Sequence, residues 1–89
     1  MNEQPVLVGG VVLDSDGTEV PLARVAFSRT PVSIPDVAAL TSITGHFVLS
    51  APVGGEYEIS ATSDDGRSVA VTVVVPVGGV QDLELRLPG

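Results

Sequence analysis

Glu56-Tyr57-Glu58-Ile59-Ser60-Ala61 runs through Thr62-Ser63-Asp64-Asp65-Gly66-Arg67-Ser68 into Val69-Ala70-Val71-Thr72-Val73-Val74-Val75. In the first segment Tyr57, Ile59 and Ala61 share one phase of a period of two, and Glu56, Glu58 and Ser60 share the other. That alternation is the mark of a strand with one face in a core and one in water. The last segment is apolar on both phases, Val69, Val71, Val73 and Val75 on one and Ala70, Thr72 and Val74 on the other. Such a strand is either covered on both faces or carries an apolar surface that a partner meets. Asp65-Gly66 between the two supplies a tight turn, because glycine accepts positive φ.

The same punctuation recurs along the chain at Asp16-Gly17, Thr44-Gly45, Gly54-Gly55 and Gly78-Gly79. Between these marks Leu83, Leu85 and Leu87 alternate with Asp82, Glu84 and Arg86, and Phe47 and Leu49 alternate with His46 and Ser50. The reading is seven strands, near 6–13, 23–29, 37–42, 46–51, 55–63, 67–76 and 80–87. Seventeen valines against three aromatics favour strand over helix, and no segment offers three turns of amphipathic helix. The expected fold is all-β: a seven-stranded antiparallel immunoglobulin-like sandwich with Greek-key connections. Residues 1–5 and 88–89 read as tails and 6–87 as the single domain, which 89 residues can support with one modest core.

Two further stretches stand out. Val6 to Leu13 is apolar on both phases, with Val8 and Val12 on one side and Leu7, Val11 and Leu13 on the other. Thr30 to Asp36 contains Pro31, Val32, Ile34 and Pro35, which excludes a central strand and leaves an unusually apolar loop. If the second faces of the first and sixth strands belonged to one sheet, they would form a patch larger than monomers usually leave exposed. Leu7, Val11, Leu13 and Val74, together with Val32 and Ile34 of the loop, are therefore the expected partner contacts.

The formal net charge is −7. The four basic residues, Arg24, Arg29, Arg67 and Arg86, are scattered. A phosphate-tracking surface needs clustered cations, so nucleic acid is not an expected partner, nor is an anionic membrane surface. The apolar runs are too short for insertion into a membrane. With no cysteine there is no thiol nucleophile, thiolate metal site or disulfide framework. No signal peptide is visible at Met1-Asn2-Glu3-Gln4-Pro5, so the chain reads as cytoplasmic as written, or as a domain excised from an exported protein.

Four segments form an ordered pattern. Val8-x-Gly10-x-Val12-x-Asp14 runs into Asp16-Gly17. Pro21-Leu22-Ala23-Arg24-Val25-x-Phe27 follows, then Thr41-x-x-Thr44-Gly45-His46-Phe47-x-Leu49 and Pro52-x-Gly54-Gly55-x-Tyr57-x-Ile59-x-Ala61. In this order they resemble the carboxypeptidase regulatory-like domains, across about Val6 to Leu87. One departure follows the strand-end Thr41, where that family often has an acidic or polar residue and this chain reads Ser42-Ile43-Thr44 before Gly45. The resemblance implies a transthyretin-like (prealbumin-like) sandwich and a non-catalytic accessory module for folding support, spacing or protein–protein contact. Physically, Gly10 and Gly45 stand where turns or close backbone approaches are expected. Phe27, Phe47 and Tyr57 fall on inward phases as anchors of a valine-rich core.

Related hydroxyisourate hydrolases rely on several histidines and a C-terminal Tyr-Arg-Gly-Ser, whereas this chain has His46 alone and ends Leu87-Pro88-Gly89. An internal Lys–Asn isopeptide bond, as in pilin-like domains, is excluded by the absence of lysine. His46, on a polar phase beside a turn, is the only imidazole a nucleophile could use, and nothing in the sequence builds a triad around it. No enzyme activity and no cofactor are expected. With inward aromatics and no tryptophan, there is no strong carbohydrate signal either. Calcium is the one ligand alternative: Asp14, Asp16 and Glu19 cluster in one turn and Asp64 and Asp65 in another, and calcium takes six to eight oxygens. The expected function is a structural or interaction module, docking on a protein partner or on itself, with a calcium- or small-ligand-binding adhesion module as the alternative.

Overall fold

Three of the turns share one geometry. In Asp14–Thr18, Ser42–His46 and Ser63–Arg67 the N–H of the first residue donates to the carbonyl of the fifth, at 2.7, 2.9 and 2.8 Å. The glycine in fourth place donates back to the first carbonyl, at 3.0, 2.9 and 3.0 Å. Gly17, Gly45 and Gly66 hold φ of 88, 79 and 91°, which makes each a three-residue turn with a left-handed bulge residue. The structure is a computed structural model, and it describes residues 5–32 and 38–88.

The turns separate β1 (Val6–Leu13), β2 (Arg24–Arg29), β3 (Ala38–Leu40), β4 (His46–Ala51), β5 (Gly55–Thr62), β6 (Ser68–Val75) and β7 (Val80–Arg86). Two sheets result, ordered β4-β1-β7 and β3-β2-β5-β6. No helix occurs among the described residues. The tails at residues 1–4 and 89, and Ile34 with most of its loop, lie outside them.

The expectation of a wholly antiparallel fold is corrected by β1 and β7, which pair in parallel from Val8↔Val80 to Leu13↔Arg86. The other ladders are all antiparallel, but they join β1 to β4 and, within the other sheet, β2 to β3 and β5 and β5 to β6, so none of them fixes the direction of β7. β7 reaches the free edge of β1 after the chain crosses over from β6 in the larger sheet, so no hairpin imposes an antiparallel partner on it.

Both sheets turn their inward phases onto one core. Val8, Val12, Phe47, Leu49 and Leu85 from the smaller sheet meet Val25, Tyr57, Ile59, Ala61 and Val75 from the larger. Phe47 and Tyr57 are buried, the Tyr57 hydroxyl donating to the Val53 carbonyl at 2.6 Å. Phe27 sits half-buried at the margin, its ring centroid 4.7 Å from that of Tyr57. Where the β1–β7 register shifts, the Leu83 backbone occupies the space a side chain at Gly10 would need. Gly45 is as tightly placed, since a Cβ there would lie 2.9 Å from the Val12 carbonyl oxygen. Thr41, 2% exposed, pins the start of β2: its Oγ1 accepts from Ala23 N–H at 2.8 Å and donates to the Val20 carbonyl at 2.7 Å.

Candidate functional site

The two acidic turns that suggested calcium are neighbours, and a cation of the protein already joins them. Arg67 donates from both terminal nitrogens to Asp14, at 2.5 and 3.2 Å, and from Nε to Asp65, at 3.0 Å. It also reaches the Pro88 carbonyl at 3.3 Å. The guanidinium and the Ser15 N–H hold the Asp14 carboxyl below the usual carboxylate range. The Ser63 hydroxyl, with Arg67 behind it, does the same for Asp65. Asp16 is lowered by its bonds from Thr18, whose N–H donates to it at 3.0 Å. Glu19 bridges Leu13 through the backbone, and Asp64 lies exposed in its turn. Among the described residues no three His, Asp or Glu side chains are grouped to hold a metal. The cluster is thus a clamp across one end of the molecule, joining the end of β1, the β5–β6 turn and the tail after β7.

His46 is exposed and shares a 2.9 Å hydrogen bond between its Nδ1 and the Thr44 hydroxyl, inside the turn that precedes β4. Among the described residues every buried side-chain nitrogen or oxygen has a partner.

The apolar candidates divide between two opposite surfaces. Leu7, Val11 and Leu13 lie on the outer face of the smaller sheet and Val74 on the outer face of the larger one, so the second faces of β1 and β6 do not join into a single patch. Leu7 is 50% exposed and Val74 is 74% exposed. Val11, between His46 and Glu84 in the register, is half-buried, as is Leu13 beside Arg86. Val32 is exposed at the start of its loop.

One residue missed by the sequence reading completes the smaller sheet's face. Val48 is 62% exposed and sits opposite Gly9, next to Leu7. Its position was implied by the alternation that placed His46 and Ser50 outward, since Val48 lies between them on the same phase. Because Gly9 has no side chain, the face dips there into an open hollow of about 220 Å³, lined by Leu7, Val48, His46 and Gln81 among others. Leu40 and Ile43, both largely exposed, were likewise missed.

No protein-family model and no curated protein matches the chain. The functional reading therefore rests on these surfaces.

Proposed function

We propose that this chain is a non-catalytic structural or protein–protein interaction module of the carboxypeptidase regulatory-like kind, an immunoglobulin-like, prealbumin-like sandwich with Greek-key connections. The observation that carries this reading is the pair Leu7 and Val48, exposed side by side around the Gly9 hollow on a sheet face. A large aliphatic pair beside an indentation offers a partner both apolar area and a socket for one side chain. The polar groups, by contrast, are spent on architecture: Asp14 and Asp65 on Arg67, His46 on Thr44 and Thr41 on the β2 entry. A photo-crosslinking residue at Val48, with Thr18 as the control position, tests the reading in cells that express the chain. Protein adducts are expected from position 48 and not from position 18. Adducts from neither, or equally from both, would contradict an interaction role for this face.

A further inference from the structure

The two sheets have four edges, and three of them are protected. Among the described residues β3 spans Ala38–Leu40. β4 is six residues long and has its first outward carbonyl, that of His46, taken by Ser42 N–H. β7 carries Asp82, Glu84 and Arg86 and a register shift. Short length, charge, proline and bulges are the devices by which sheets avoid adding strands. Within its own length β6 has none of them, although Pro76 stands just past its last residue. Its eight residues, Ser68–Val75, contain no charge and no proline, and its ladder with β5 runs without a shift. No strand pairs with its outer edge among the described residues.

The turn fixes which groups are free. Ser63 N–H donates to the Arg67 carbonyl, so Ser63↔Arg67 is a bonded pair. Bonded pairs then recur at every second residue, and Val69, Val71, Val73 and Val75 direct their N–H and C=O at β5. Ser68, Ala70, Thr72 and Val74 direct theirs outward, and all four residues are exposed. Val69, Val71 and Val73 point into the core, yet each is only half-buried, because nothing stands on their open side.

We propose that a second copy of this chain occupies this edge, its β6 pairing antiparallel with this one about a two-fold axis at Val71. This deepens, and rests on, the reading of the chain as an interaction module. What favours a second copy is that β6 is uncharged and its inner valine row is left incomplete in the same way in each copy. In this register Ala70 bonds to Thr72 of the other copy and Ser68 bonds to Val74, so every free edge residue finds a free one. On the inner face Val71 meets Val71, and Val69 meets Val73, so the row that is incomplete in one copy is completed by the same row in the other. Charge permits the pairing: Glu56 and Glu58 stand on β5, opposite Val74 and Thr72. Glu58 of one copy is three strand spacings from β5 of the other, about 14 Å, beyond the screening length of about 8 Å at physiological salt.

Because the chain has no cysteine, Val71→Cys gives a clean probe. Across the axis the two residues form a non-hydrogen-bonded antiparallel pair, with Cα atoms about 4.5 Å apart, which a disulfide spans. Sedimentation of the wild type from about 10 to about 200 micromolar, which brackets dissociation constants in the tens of micromolar, is expected to show a monomer–dimer equilibrium. Val71→Cys is expected to form an intermolecular disulfide on mild oxidation, and Ala38→Cys on β3 is not. Thr72→Lys, on the outer face, is expected to keep the monomer folded and weaken the dimer at least tenfold. A strictly monomeric wild type, or a dimer that ignores Thr72→Lys and fails to crosslink at position 71, would overturn the proposal. A monomer that still crosslinks other proteins through position 48 would overturn the β6 dimer alone and leave the interaction reading standing.

Discussion

Arg67 grips Asp14, 53 residues earlier in the chain, with both terminal nitrogens, at 2.5 and 3.2 Å. Through the same guanidinium Asp65 is tied in. Both carboxyls are held below their ordinary value of about 4, so folding favours their ionised forms. A carboxyl depressed in the folded state contributes stability above its unfolded pKa and loses it as pH falls through the folded value. Urea denaturation at pH 7 and pH 3 should therefore show a larger difference between the wild type and Arg67→Met at the higher pH than at the lower. An equal difference at both values would show that Arg67 acts by packing alone.

Gly45 and Gly66 have the same backbone conformation in different surroundings. At Gly66 nothing lies within 4 Å of an added Cβ, so Gly66→Ala should cost only the left-handed penalty of about 1–2 kcal/mol. At Gly45 the Cβ would also meet the Val12 carbonyl and, at 3.1 Å, the Val20 nitrogen, both backbone atoms that cannot swing away. Gly45→Ala should lose clearly more, as measured by thermal melting of the two variants side by side.

Phe47 is 3% exposed and Tyr57 1%. Truncating either to Ala should cost about 3–5 kcal/mol, against a total of about 4–13 kcal/mol for a chain of this length. Melting points within a degree or two of the wild type would contradict the core as described.

The strand positions and the turn glycines were legible because period-two alternation and positive φ are local properties. Tyr57, Ile59 and Ala61 declared their face within six residues, and Gly45 and Gly66 marked turns whatever the rest of the chain did. The pairing of β1 with β7 is not local: the strands stand at opposite ends of the chain and nothing in either marks the other as its neighbour, so an all-antiparallel sheet was expected. The apolar second faces of β1 and β6 looked alike in sequence, and only the sheet order shows that they lie on opposite sides of the molecule. The acids at 14 and 65 suggested a metal because the sequence does not show that Arg67, two residues beyond Asp65, turns back between them.

Leu22 is the single non-glycine residue with positive φ among the described residues, at 58°, and it is 61% exposed. Leucine pays for that conformation and asparagine does so much less. Leu22→Asn should raise stability by about 1 kcal/mol, read as a higher urea midpoint. A lower midpoint would mean that the exposed leucine packs usefully where it stands.

The central claim is that β6 is a core strand on one side and an open docking edge on the other, and amide hydrogen exchange read residue by residue tests it most directly. In dilute protein the amides of Val71 and Val73, bonded to β5, should exchange slowly, while those of Ala70 and Thr72 exchange fast. At high concentration Ala70 and Thr72 should become protected as the second copy adds its strand. Fast exchange at Thr72 at every concentration, or equal exchange at Val71 and Thr72 in dilute protein, would contradict the claim.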